Sequence, residues 1–221
     1  MGERAADGET EVRAVEVGGR VIKLRVPSRP ERLLDAIDAA AFRDDEKMPY
    51  WAELWPAGRA FAAQLVRRGT GVRDKDVLEL GCGLGLVGIA AALAGAREVT
   101  FSDYFREALD FAADNARRNG VASFWTLELD WRKPFLPRRY EVILGADLLY
   151  ERRNLDALLG AIRAALAPGG VAYIADPDRL TADEFAARAE AAGFDVKREP
   201  LQGLRGTVYV LEARRAADSH G

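Results

Sequence analysis

Histidine and cysteine are almost missing from this 221-residue chain, which holds one of each: His220 near its end and Cys82 inside a run of glycines. A single thiol cannot close an internal disulfide or assemble a thiolate metal site, so Cys82 reads as a small residue tolerated in a glycine loop. With the one histidine in a polar tail, Ser–His–Asp triads, histidine-rich metal sites and histidine general bases are excluded. An apolar run long enough to cross a bilayer is missing too, as is a signal-peptide pattern before the first charges. The expectation is a cytoplasmic protein with no membrane partner. Nor is there a concentrated basic face: the net charge is -3, and the arginine pairs at 67–68, 117–118, 138–139 and 214–215 fall in separate segments. That scatter argues against nucleic acid as a partner. Chemistry here must run on carboxylates, aromatics and backbone.

What is present is an ordinary soluble composition, 49% hydrophobic and 30% charged, at a length that suits one well-buried domain. Residues 1–10 are polar and aperiodic and read as a disordered start. EVRAVEV and RVIKLRVP alternate apolar and polar about Gly18-Gly19, which predicts a small hairpin ahead of the main sheet. A short helix is expected over residues 31–40, and Pro56 suits the first turn of a helix carrying AGRAFAAQLVRR. From residue 76, VLELG, EVTFSD, FWTLELD, EVILGAD and VAYIAD are short apolar strands separated mostly by helical stretches, which means a parallel sheet covered on both faces. WRKPFLPRRY, with two prolines, reads as loop. DVKREPLQ and TVYVLEARR are joined by four residues, too few for a crossover, so they must pair antiparallel. The predicted fold is a Rossmann-like, doubly wound α/β sheet of seven strands with a C-terminal antiparallel hairpin, plus a small N-terminal hairpin and helix extension.

In VLELGCGLGLVG, residues 77–88, Gly83, Gly85 and Gly88 match a dinucleotide-binding spacing, but Glu79 and Gly81 are not what a nicotinamide loop asks for. The stretch alone leaves NAD and S-adenosylmethionine both open. Asp103 ends EVTFSD about twenty residues on, where a carboxylate can accept both ribose hydroxyls of either cofactor. Asp130, at the end of FWTLELD, is followed by Trp131, a pair suited to an adenine amino group and ring face. Glu79 would repel a pyrophosphate and tolerate a ligand that carries an ammonium and a sulfonium. In MPYWAELWPAG, Trp55 could hold a sulfonium by cation–π attraction, whereas Tyr50, Trp51 and Trp55 could equally form a hydrophobic plug.

Taken together, ELGCGLG, the acidic strand ends, Trp55-Pro56, Asp130-Trp131 and the D-x-x-Y-like ADLLY at 146–150 resemble the seven-β-strand class I methyltransferases. Within them the chain is similar to methyltransferase family 16, the protein lysine methyltransferases, from about Tyr50 to Phe194. PYWAELWPAG with the later ADPDR is similar to the branch that methylates the β-subunit of electron transfer flavoprotein. The resemblance implies an S-adenosylmethionine-dependent N-methyltransferase acting on a lysine of a protein. Glu79, Gly81, Gly83, Asp103, Asp130, Trp131 and Ala146 would line the cofactor pocket with Trp55 closing it, and Asp147 and Tyr150 would face the substrate. It also implies an extension over 1–50, a methyltransferase domain over 51–215 and a tail over 216–221. The N-terminal hairpin departs from the family pattern.

In-line methyl transfer needs alignment and a neutral amine. Neutralising a free lysine at pH 7 costs roughly 4 to 5 kcal/mol, which desolvation and a nearby sulfonium would lower. Asp147 is expected to orient the amine or dock its ammonium, and Tyr150, one helical turn on, to shape the channel. Asp176, Asp178 and Arg179 could contact substrate or form a solvated turn about Pro177. The rival readings are a small-molecule, nicotinamide-like N-methyltransferase, an NAD-dependent oxidoreductase and a cofactor-binding module without catalysis.

Overall fold

The computed structural model describes residues 9–31, 50–69 and 71–214. The polar lead, the helix expected over 31–40 (Glu31 apart) and the tail from 215 lie outside the described residues. The alternation about Gly18-Gly19 yields β1 (Thr10–Val17) paired antiparallel with β2 (Arg20–Pro27). Its alternate residues Val15, Val17, Ile22, Leu24 and Val26 are buried, in one cluster with Phe61 and Leu65 of α1 (Pro56–Arg68).

Seven strands form the main sheet: β3 (Asp76–Leu80), β4 (Glu98–Asp103), β5 (Phe124–Glu128), β6 (Tyr140–Ala146), β7 (Leu166–Asp176), β8 (Phe194–Pro200) and β9 (Thr207–Ala213). Their order is β5-β4-β3-β6-β7-β9-β8, parallel except for β9, which runs antiparallel to both its neighbours. The six-residue link before β9, still too short for a crossover, allows nothing else. Helices α2 (Leu86–Leu93), α3 (Arg106–Arg118), α4 (Leu155–Ala165) and α5 (Ala182–Ala191) complete the layers. The proline-bearing link from β5 to β6 holds no helix.

The inner strands β3, β4 and β6 are buried on both faces, which explains their nearly continuous apolar runs, whereas the edge strands β5 and β8 are largely exposed. Val77, Val99, Phe101, Val142 and Leu144 pack toward α1, α2 and α3, while Leu78, Leu80, Ile143, Ile174 and Leu211 pack toward α4 and α5. Side-chain alternation therefore sends Glu79, between Leu78 and Leu80, to the α2 face. Strand order reverses at β3, whose neighbours are β4 and β6, and ligands in such sheets bind beyond the carboxyl ends of strands at that point.

Candidate active site

At the carboxyl ends of β3, β4 and β6 lies a cavity of about 420 Å³, within the size range of small-ligand sites. Trp55, Glu79, Gly81, Gly83, Asp103, Asp130, Trp131, Ala146, Asp147 and Tyr150 all line it. Tyr50, Gly58, Tyr104, Phe105 and Leu148 join them without having been expected there, although each lies beside or near an expected residue in sequence.

The glycine loop owes its residue types to close approaches. Gly81 and Gly83 have φ of 60° and 49°, in the left-handed region that favours glycine. A Cβ on Gly83 would lie 2.9 Å from the Trp51 carbonyl oxygen, and one on Gly81 2.7 Å from Leu148 Cδ2. Trp51 is buried and sits 5.2 Å, centroid to centroid, from Phe111, so it is the plug. Trp55 is half-buried at the N-terminus of α1, and its indole Nε1 donates to the Tyr50 carbonyl at 2.8 Å. Tyr50 meets Trp55 and Tyr150 edge-on at 5.8 and 5.4 Å, so three aromatic rings form the rim.

Glu79 is 3% exposed, and its Oε2 accepts the Gly88 amide at 2.9 Å, at the start of α2. Burial pushes its carboxyl up to about 8; the Gly88 amide opposes the rise and the Asp103 carboxylate adds to it. Near pH 7 in the ligand-free protein the buried carboxyl therefore favours its protonated form over the fixed negative charge that its residue type suggests. A diphosphate is disfavoured as well because the Gly83 and Gly88 amides, in the loop and first turn of α2, already bond carboxyl groups. A cationic ligand would draw the proton off. Ligand affinity is accordingly expected to rise between pH 6.5 and 8.5 with net proton release, read by calorimetry in buffers of different ionisation enthalpy.

Asp103 is 6% exposed and anchored by the Gly83 amide on Oδ2 (2.9 Å) and the Phe105 amide on Oδ1 (3.0 Å). Burial raises its carboxyl above the usual range against those bonds. The Tyr104 amide bonds it as well, and the acceptor capacity that remains is open to a diol. Asp130 lies two residues beyond the end of β5 rather than at the strand tip, and Arg132 Nε and Nη2 both engage its carboxylate at 2.9 Å. An adenine amino group there must share the carboxylate with Arg132. The Trp131 indole lies against Gly81, 3.4 Å from where a Cβ would sit.

Asp147 is also held. It has φ 59° and is 7% exposed; Oδ2 accepts the Gly58 amide at 2.9 Å, and Oδ1 accepts Arg179 Nη2 at 2.8 Å. Arg179 bonds Asp176 Oδ2 as well, at 2.8 Å, and Asp176 is wholly buried. The solvated-turn reading therefore fails for Asp176 and Arg179, which belong to a buried triad with Asp147, and holds only for exposed Asp178, whose Oδ1 accepts the Thr207 hydroxyl. Two carboxylates against one guanidinium leave the triad one negative charge at the cavity. Tyr150 lies in a turn, not one helical turn on, because a 3-10 segment at Arg152–Asn154 intervenes before α4. Burial pushes its phenol up to about 12, so it stays neutral across the physiological range. The Cys82 thiol is buried and pushed well above its ordinary range by burial and the adjacent carboxylates, and is not a nucleophile.

A reversed sheet order, a carboxyl-lined glycine loop and a β7–β9–β8 finish define a Rossmann-like methyltransferase fold. Among solved structures, a 16S rRNA N2 G1207 methyltransferase from T. Thermophilus, in complex with AdoMet and guanosine, superposes with a TM-score of 0.64 at 18% identity over 93% of this chain and 51% of that one. The ribosomal protein L11 methylase from Lactobacillus delbrueckii subsp. bulgaricus gives 0.59 at 20% identity over 70% and 77%. The lysine methyltransferase family model matches residues 39–189, and the chain belongs to that family. It is 34% identical over 132 residues to EEF1A lysine methyltransferase 3 of Mus musculus, covering 58% of this chain and 56% of the relative. It is 33% identical over 135 residues to the electron transfer flavoprotein beta subunit lysine methyltransferase of Rattus norvegicus, covering 59% and 51%. The chain spans about half the length of these curated relatives. Among the described residues, no helix is long and apolar enough to cross a membrane, and no cluster of His, Cys, Asp and Glu could hold a metal.

Proposed function

We propose that the chain is an S-adenosylmethionine-dependent N-methyltransferase that acts on a lysine side chain of a protein substrate. The observation that carries this reading is one cavity lined by buried carboxyls beside the strand tips and closed by an aromatic rim. Arg132 and Arg153, the cations that line it, are bonded to Asp130 and Glu151. Such a donor set fits a phosphate-free adenosyl cation better than a dinucleotide. Proteins named for lysine methylation of EEF1A and of the electron transfer flavoprotein beta subunit are among its relatives, and the latter subunit is the narrower substrate candidate.

When bound, S-adenosylmethionine supplies an electrophilic methyl group on a cationic sulfur. The chain's own residues then align and desolvate. Asp103 presents its remaining acceptor positions to the ribose; Glu79, Gly81, Gly83 and Ala146 wrap the amino-acid end; Trp131, with Asp130 beside it, covers the base. Trp55 and Tyr50 exclude water. The singly negative triad around Asp147 attracts an ammonium, and Tyr150, being neutral, exchanges hydrogen bonds with the nitrogen rather than taking its proton. That proton leaves to solvent.

Incubation with radiolabelled S-adenosylmethionine and a protein extract, followed by hydrolysis, is expected to yield labelled methyllysine. Label confined to a small-metabolite fraction would overturn the protein-substrate reading. Gly83→Ala, whose Cβ meets the Trp51 carbonyl in a left-handed backbone, is expected to weaken cofactor binding at least about tenfold by calorimetry, on the scale of 1–3 kcal/mol for such strain.

A further inference from the structure

We infer that Asn115 is a positioning residue that ties the N-terminal hairpin to the glycine loop, so that the hairpin helps to set the affinity of the cofactor pocket. The inference rests on the reading of that pocket as an S-adenosylmethionine site.

A strand edge exposes peptide groups that need partners. In β2, Lys23 and Arg25 lie two residues apart, and both find those partners on a helix. Asn119 Oδ1 accepts the Lys23 amide at 2.9 Å and its Nδ2 donates to the Lys23 carbonyl at 2.8 Å. Asn115 does the same for Arg25, at 2.6 and 3.1 Å. A carboxamide carries one acceptor and a donor face, as a peptide unit does. The spacing explains why two suffice: four residues along a helix advance about 6 Å, and two along a strand about 6.8 Å. Helix α3 thereby serves as a third strand of the hairpin sheet.

The two asparagines differ in their remaining bond. Asn119 spends it within its own helix, on the Asn115 carbonyl at 2.8 Å. Asn115, wholly buried, donates to the Leu84 carbonyl at 3.0 Å, between Gly83 and Gly85. A second line of contacts ends at the same loop: the Arg25 guanidinium lies 4.1 Å over the Phe111 ring, Phe111 packs on Trp51, and the Trp51 carbonyl abuts Gly83. The hairpin thus reaches residues 83–84 by hydrogen bond and by packing.

The test compares wild type, Asn115→Leu and Asn119→Leu by calorimetric Kd for S-adenosylmethionine and by amide exchange of residues 81–88 in the ligand-free protein. Both variants undock the strand edge, but only the first frees the loop. Asn115→Leu is expected to raise Kd about tenfold, the effect of one buried hydrogen bond, with faster loop exchange and kcat retained at saturating cofactor. Asn119→Leu is expected to stay within about twofold, with loop exchange unchanged. Should Asn115→Leu fail to fold, Asn115→Asp keeps the acceptor for the Arg25 amide, loses the donor to Leu84 and is expected to loosen the loop in the same way. Equal changes in Kd and exchange for the two positions, or none for either, overturn the brace. A wild-type protein that binds no S-adenosylmethionine overturns the cofactor reading instead, and the exchange comparison then decides the brace alone.

Discussion

Replacing Glu79 with Gln is expected to raise the melting temperature of the ligand-free protein at pH 8.5 while weakening S-adenosylmethionine binding by an order of magnitude or more. Burial under α2 raises the folded carboxyl to about 8 from the ordinary 4.5. The folded state then holds a proton that the unfolded state has lost, so stability falls as pH rises from about 4.5 to about 8 and is flat above. At 1.36 kcal/mol per unit, this limb amounts to a few kcal/mol, or about 5–15 °C for a chain of this size. Glutamine keeps an oxygen for the Gly88 amide and cannot ionise, so the variant lacks that limb. At pH 4 the two proteins are expected to melt within about 3 °C of each other. The binding loss has the same origin, because the variant cannot supply the charge that a cationic ligand draws out. Differential scanning calorimetry across pH 4–9, with and without ligand, checks both halves. Equal melting temperatures at pH 8.5 with unchanged affinity would remove Glu79 from the account.

Arg179→Met is expected to cost about 3 kcal/mol of stability at pH 7, some 6–12 °C in melting temperature, and to abolish most methyl transfer. It strands Asp147 and Asp176, whose side chains are 4% and 0% exposed, without the guanidinium that bonds both. The figure sits at the low end for a broken buried pair because Arg179 itself is 24% exposed. Differential scanning calorimetry at pH 7 and a methyl-transfer assay read the two effects. Asp147 also carries the Gly58 amide of α1. Its release should move Trp55 as well, raising cofactor KM together with the loss in kcat. A variant with the wild-type melting temperature would show that the triad does not stabilise the fold.

Much of the fold was legible because its signals are local. Doubly buried strands read as continuous apolar runs, Gly18-Gly19 punctuates an alternating pair, and a link too short for a crossover forces β8 and β9 antiparallel. The acidic strand tips and the glycine loop were legible for the same reason. What was not legible depends on partners distant in sequence. Asp147 meets Arg179 across 32 residues, and Asn115 meets Arg25 across 90. No short window shows either. The titration of Glu79 was not legible because its residue type suggests an ionised group, while its depth beneath α2 raises its carboxyl to about 8. Asp130 was treated as an open acceptor because a strand tip does not show that Arg132 folds back on it. Tyr150 was placed one helical turn from Asp147 on its three-residue spacing, which does not show that the chain turns first and reaches α4 only at Leu155.

Equilibrium dialysis of the ligand-free protein against labelled S-adenosylmethionine, with NAD as competitor, tests the cofactor reading most directly. One equivalent bound, with affinity rising from pH 6.5 to 8.5 and unaffected by excess NAD, is the expected result. No binding of S-adenosylmethionine, or its displacement by NAD, would contradict it.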